Sequence, residues 1–429
     1  MSKIKSIIAL EVLDSRAQPT VAVKVVLENN ISAYAYVPSG ASTGSYEAVE
    51  LRDGDSSRYL GKGVKKAVLN IEEKIAPKLK GQLVKNQEKI DQIMIDLDGS
   101  DNKKNLGANA ILAVSIAVCK AAAKDKNIPL YDHLLSFSPS KDGAYKLPVP
   151  MLNLLNGGRH ANWASDIQEY MILPVKAKSF SNAMQMGVEI YQQLKLILKK
   201  KKYHLGLGDE GGFSPQFKDN SEPFELLNKA CHLAGYTPGE QIKYGIDAAA
   251  SEFYSKNKYH LKKENLKLST QELKKYYINL IKKYPIASLE DPFSEDDWTG
   301  FIDLNKELDP KIQVVGDDLY ATNLNLIKKG IEEKASNAVL IKLNQIGTLT
   351  ETMAAIKLAK KAQMKYIISH RSGETEDSFI ADFAVAMGGG QIKTGAPARG
   401  ERTAKYNRLL VIEKELGKKA QYSNFPFFA

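Results

Sequence analysis

The sequence predicts an α/β protein, a C-terminal (β/α)8 barrel of the TIM type preceded by a smaller α+β domain. Three observations carry this expectation. Up to residue 135, strand-like segments come first and helix-like segments follow, the order of an α+β unit. Residues 136–143 (SFSPSKDG) are Pro/Ser/Gly punctuation. After residue 147 short apolar runs recur, each ending in a polar or charged residue, with helical patterns between them. The expected division is therefore an N-terminal domain at 1–136, a linker at 137–147 and a barrel at 148–429.

In the first part, 4–13, 20–28 and 32–37 are β-branched with partial alternation, which predicts strands. Residues 64–80, 86–97 and 108–126 carry helical periodicity. In the second part the runs are KYGID (243–247), IASLE (286–290), IQVVGD (312–317), AVLIK (338–342), YIISH (366–370) and QIK (391–393). Their last residues are separated by 43, 27, 25, 28 and 23 positions, one βα unit each with one longer insertion. Helical patterns at 322–330 and 349–361 fill two of the gaps. Periodicity fixes neither the strand count nor every strand direction.

The chain has 429 residues, 43% hydrophobic and 26% charged, an ordinary globular balance with room for two domains. Its two cysteines, Cys119 and Cys231, form neither a disulfide framework nor a zinc cluster, so a reducing cytoplasm is expected. The N-terminus leads into a strand-like run and not a signal peptide. The longest apolar stretch, 108–123, is interrupted by Asn109, Ser115 and Lys120 and is too short to span a bilayer. The net charge of +10 is spread over lysines that alternate with glutamates, so solvated surface is the first reading, attraction of anionic substrates the second and RNA binding the third. The dense run Lys199 to Lys202 closes a helix-like segment, where cations suit the dipole.

Active sites of such barrels form at the C-terminal ends of the strands. Here those ends carry Asp247, Glu290, Asp317, Lys342, His370-Arg371-Ser372 and Lys393. One Asp after a strand is more simply a helix N-cap. Three carboxylates on successive strand ends repel one another unless a cation holds them, and all-oxygen ligation suits Mg²⁺. Lys342, beside such cations and Lys393, is expected to have its charged form disfavoured and to serve as a neutral base, against the plain reading of a snorkelling lysine. Gly208-Asp209-Glu210-Gly211-Gly212 places an acid in a glycine-rich turn that can approach a ligand. Residues 206–211 also match GxGxxG, but KKKKYH precedes them and Phe213-Ser214-Pro215 follows, so a dinucleotide fingerprint is excluded. Arg371, Ser372 and Lys393 supply donors for phosphate or carboxylate. The Gly/Ser loop 39–44 has no Walker lysine and suits a mobile lid. His160 follows Gly157-Gly158-Arg159 in another glycine-rich loop, and Gln168 and Glu169 open the apolar run after it. His133, His204, His232 and His260 lack such company and read as structural or surface residues.

These residues resemble the enolase family, the glycolytic phosphopyruvate hydratases, of bacterial type. The likeness runs nearly end to end through VLDSR, VPSGASTG, QEYMILP, GDEGGFSP, IDAAASEFY, LEDPF, VGDDL, IKLNQIG, SHRSGETED, IKTGAP and ERTAKYN. It implies dehydration of 2-phosphoglycerate to phosphoenolpyruvate. Asp247, Glu290 and Asp317 would hold one Mg²⁺, and Ser42 would bring the lid onto a second that arrives with substrate. Lys342 would take the C2 proton and Glu210, aided by Glu169, would protonate the leaving C3 hydroxyl. Arg371 and Ser372 would bind phosphate and Lys393 the carboxylate, with Gln168, Glu290 and Asp317 also facing the substrate. His160 and His370 would complete the closed site, and the protein would be a homo-oligomer, a dimer or larger. Ala17 and Gln18 stand where the family usually has Gly-Asn, and Arg159, Asn162 and Trp163 are unusual in the histidine loop. These departures bear on loop closure and KM. Two other readings are another acid dehydratase or racemase of the same superfamily, and a protein that binds RNA or a cell-surface partner, with a surface or secreted presence that needs no signal peptide.

Overall fold

A computed structural model of the chain describes residues 2–40, 44–138 and 145–427. The chain opens with an antiparallel meander of β1 (Ile4–Leu13), β2 (Pro19–Leu27) and β3 (Ser32–Tyr36). The middle strand contributes Val21, Val23, Val25 and Leu27 to the core. Helices α1 (Gln87–Asp98), α2 (Ala108–Asp125) and α3 (Leu130–Leu135) follow.

Helix α2 is buried almost all round, as its apolar sequence requires. The polar residues that interrupt it each have a partner. Asn109 accepts from the Leu51 N–H, Ser115 Oγ accepts from Gln87 Nε2, and Lys120 pairs with Asp377 at 2.5 Å. The helix expected at 64–80 is divided into α-helical turns at Lys65–Leu69 and Ala76–Leu79 around a π-helical turn at Asn70–Ile75. Pro77 has no N–H to donate and its ring crowds the preceding turn, so a wider turn ahead of it relieves the clash.

Eight strands close the barrel: β4 (Val149–Asn156), β5 (Glu169–Pro174), β6 (Ile242–Asp247), β7 (Ile286–Glu290), β8 (Gln313–Gly316), β9 (Ala338–Ile341), β10 (Lys365–Ser369) and β11 (Gln391–Lys393). Strand β5 runs antiparallel to both neighbours, and the others pair in parallel. The reversal has a local cause. Gly157 donates its N–H to the Gln168 carbonyl and Gly158 donates to that of Ser165, which folds the chain straight back. A parallel crossover would need a connecting helix. The long step between Asp247 and Glu290 holds a three-stranded sheet (Tyr254–Ser255, Lys258–Leu261, Leu266–Leu268) and a helix, Thr270–Lys283.

Helices α4 (Leu349–Lys361) and α5 (Gly400–Leu416) pack outside the barrel. The first part of the chain caps α4. Ser115 Oγ accepts from the Leu349 N–H at 3.1 Å, and Asp91 accepts from the Thr350 N–H at 3.0 Å. Tyr145–Leu147, at the end of the stretch read as a linker, pair in parallel with Ala420–Tyr422. The barrel floor is packed by Met151, Met171, Leu173 and Leu340, with Phe425 from the C-terminal tail. Among the described residues, no helix is long and apolar enough to cross a membrane.

Candidate active site

Strand register assembles the site. Glu169 pairs with Asp247, and Asp247 with Glu290, so three adjacent strands set three carboxylates side by side on one rim. The reversed strand takes part because its first residue lies where its neighbours end. Lys393 ends β11, opposite Ser369 on β10, and His370, Arg371 and Ser372 leave that strand directly. The rim surrounds a small, polar cleft of about 30 Å³. Every residue expected at the site whose side chain is described lines this cleft, apart from Glu290 just beneath it. A larger groove opens at the other end of the barrel, near Lys365 and Ser423, and gathers no carboxylates.

Lys393 Nζ lies 2.7 Å from Glu290, 2.9 Å from Asp247 and 3.2 Å from Glu169. Burial opposes its charge, but these carboxylates hold it protonated well above the ordinary lysine range. The carboxylates are still in excess. Burial and mutual repulsion raise Glu169 and Glu290 well above the usual carboxylate range, and Lys393 only partly offsets this. Glu169 Oε2 and Glu290 Oε2 are buried without a hydrogen-bond partner among the described residues. Asp291, Asp317 and Asp318 bring carboxylate oxygens within 4.8 Å of one another. Orphaned oxygens, surplus negative charge and an all-oxygen donor set fit a hard dication such as Mg²⁺.

Lys342 follows β9 directly, and its ammonium contacts Asp317 Oδ2. From the sequence, its charged form is expected to be disfavoured beside bound cations and Lys393. For the protein alone, burial is the largest influence and pushes its pKa down, while the Asp317 and Asp318 carboxylates push it up and the net shift is upward. Asp317 responds in kind: burial alone would raise it, and Lys342 brings it below the usual range.

On the other side of the cleft, Glu210 Oε2 accepts from Asn153 Nδ2 at 2.9 Å, and Glu210 Oε1 lies 3.8 Å from His370 Nε2. Burial, with Arg402, Lys393 and Lys342 nearby, keeps His370 well below the ordinary histidine range, though Glu210 pulls the other way. Arg371 donates to both Glu47 oxygens, at 2.9 and 3.1 Å, and to Asn344 Oδ1 at 3.0 Å. Ser372 Oγ accepts from Arg16 at 3.4 Å. Gln168 lines the cleft, and its backbone N–H donates to the Asp247 carbonyl. The backbone of His160 lies in a short turn, Arg159–Ala161, and its side chain, like all of Ser42, falls outside the described residues. Of the unusual residues, Arg159 pairs with Glu252 at 3.2 Å, Lys262 sits over the Trp163 ring, and Ala17, Asn162 and Trp163 adopt positive φ. Gln18 donates its backbone N–H to Asp14.

Sequence reasoning missed Glu47, Asn153, Asp291, Asp318 and Arg402. Asp291 and Asp318 had a signal, since each directly follows a predicted ligand in LEDPF and VGDDL. Asp291 accepts the N–H groups of Asp317 and Asp318, both at 2.8 Å, and so shapes that turn.

Family comparison agrees with this geometry. A family model described as the N-terminal domain of enolase matches residues 4–134, and one described as the C-terminal TIM barrel domain of enolase matches residues 144–428. The chain is 53% identical over 428 residues to a protein named enolase from Elusimicrobium minutum (strain Pei191), with 100% of each chain covered.

Proposed function

The chain belongs to the enolase family, and from that premise we infer that it is a lyase catalysing the reversible dehydration of 2-phospho-D-glycerate to phosphoenolpyruvate in glycolysis and gluconeogenesis. The observation that carries the reading is the single cleft in which Lys342, Glu210, Arg371, Ser372 and Lys393 meet the strand-end carboxylates.

In this reading Arg371 and Ser372 hold the phosphate and Lys393 the carboxylate, which places C2 against Lys342 and the C3 hydroxyl against Glu210. Lys342 takes the C2 proton. Glu210, oriented by Asn153 and aided by Glu169, delivers a proton to the departing hydroxyl. Gln168, His160 and His370 complete the walls that exclude water. The family implies Mg²⁺. Asp247, Glu290 and Asp317 would hold one ion, and a second would arrive with substrate beside Ser42. When bound, these ions supply positive charge against the extra negative charge that proton loss puts on the substrate carboxylate.

Domain limits of 1–136 and 148–429, with 137–147 between them, belong to the same proposal. So does a homo-oligomer of two or more copies, supported by the exposed apolar Ile8, Leu10 and Leu13 on β1. A cytoplasmic location is supported by two buried, unpaired cysteines.

An ultraviolet assay for the enol double bond tests the activity. Purified protein with 2-phosphoglycerate and Mg²⁺ should produce phosphoenolpyruvate, and excess chelator should abolish the signal. Folded protein that shows no turnover in Mg²⁺ would remove the reading.

A further inference from the structure

Arg402 is 0% exposed, the largest side chain so completely buried. It stands in the first turn of α5 and does not itself line the cleft. Its guanidinium reaches two separate segments. Nη1 lies 2.6 Å from His370 Nδ1 and donates to the Arg371 carbonyl at 2.6 Å. Nη2 donates to the Ser372 carbonyl at 2.5 Å and to the Asp209 carbonyl at 3.0 Å. Asp209 directly precedes Glu210, and Arg371 and Ser372 follow His370. One planar fork therefore ties the turn that carries Glu210 to the loop that carries Arg371 and Ser372.

The His370 contact has a further consequence. A guanidinium has donors only, so the ring nitrogen facing it must accept. Nδ1 is then unprotonated, and a neutral ring carries its proton on Nε2. That nitrogen points toward Glu210 Oε1, 3.8 Å away. A protonated imidazole would put an N–H against the guanidinium and repel it.

We propose that Arg402 is a positioning residue that fixes His370 as a neutral Nε2–H donor facing Glu210 and locks the Glu210 turn to the loop of Arg371 and Ser372. The proposal rests on the roles given above to Glu210, Arg371 and Ser372. Burying an unpaired guanidinium is costly, and the cost is offset only where its donors are met. Here Nη1 and Nη2 meet three carbonyls and a ring nitrogen, while Nε, 3.5 Å from Glu401, makes no hydrogen bond among the described residues. Lysine has one ammonium and cannot span both segments, so it does not substitute.

The test combines spectroscopy of the wild type with kinetics of two variants. Full-length protein labelled with ¹⁵N-histidine gives the ring resonances, and His370→Gln assigns the one of interest. The expected result is an unprotonated Nδ1 and a protonated Nε2 that persist between about pH 6 and pH 8, the interval over which an ordinary histidine titrates. A protonated Nδ1 overturns the proposal without any variant having to fold. In Arg402→Gln and Arg402→Lys, kcat should fall about 10²-fold and KM should rise as well, since the residue holds both the Glu210 turn and the loop of Arg371 and Ser372. Unchanged kcat in either folded variant, or full rescue by lysine, also overturns it. A wild type with the expected tautomer and no turnover would instead count against the functional reading alone.

Discussion

Glu47 and Arg371 form a nearly dry ion pair, with side-chain exposures of 7% and 4%. Burial opposes the charge on Arg371, and Glu47 restores it, leaving the guanidinium above its ordinary value. If Arg371 is a phosphate ligand, Glu47 is the anion that neutralises it before substrate arrives. Glu47→Gln should therefore destabilise the protein by about 3 kcal/mol, the usual result of leaving one buried charge alone. Inorganic phosphate should then raise the melting temperature of the variant more than that of the wild type, because it replaces the lost anion. Equal shifts would mean that phosphate does not reach Arg371. This pair was invisible in the sequence because its members stand 324 positions apart. Asn153 and Arg402 were missed for the same reason: neither has a local pattern, and each acquires meaning only from a distant partner. Lys342 was placed correctly at the rim, but its charge state depends on Asp317, whose contact no spacing reveals.

Strands that end in Asp, Glu, Lys or His were legible because one buried run and one polar terminus form a local signal. IASLE and QIK coincide with β7 and β11. Strands β4 and β5 were not placed as barrel strands, since direction depends on a connection and not on periodicity. The loop from Gly157 to Gln168 turns the chain back through its own backbone hydrogen bonds. A different local effect governs α3. His133 Nδ1 lies 3.2 Å from Lys126 Nζ, and burial together with that cation lowers its pKa from 6.5 to about 4. The unfolded chain takes up this proton first as pH falls. The stability tied to the neutral ring is thus complete above pH 6.5 and is lost as pH drops toward 4. Denaturant unfolding of His133→Gln should show a shallower decline over that window. An identical slope would place the acid sensitivity elsewhere.

Across the whole molecule, the first part of the chain and the barrel share buried polar contacts as well as apolar ones. Asp91 in α1 accepts from both the N–H and the hydroxyl of Thr350 at the start of α4. Burial raises its pKa from 3.8 to about 6, against the pull of those hydrogen bonds. A carboxyl raised in the folded state stabilises the fold most when protonated, so its contribution is present below pH 3.8 and lost as pH rises through about 6. Asp91→Asn keeps an acceptor for Thr350 and should remove that slope, which unfolding curves between these limits would detect. An unchanged slope would show that the pH dependence arises from another group. The order of strands before helices made both parts legible, whereas their mutual capping through Asp91 and Ser115 had no trace in either segment alone.

The central claim is a division of labour across one cleft, with Lys342 acting at C2 and Glu210 at C3. Exchange of the C2 hydrogen of 2-phosphoglycerate with deuterium from solvent, followed by NMR in the presence of Mg²⁺, separates the two. The account predicts that Glu210→Gln still exchanges the C2 hydrogen while forming almost no phosphoenolpyruvate, and that Lys342→Ala does neither. Exchange that survives in Lys342→Ala, or is lost in folded Glu210→Gln, would contradict it.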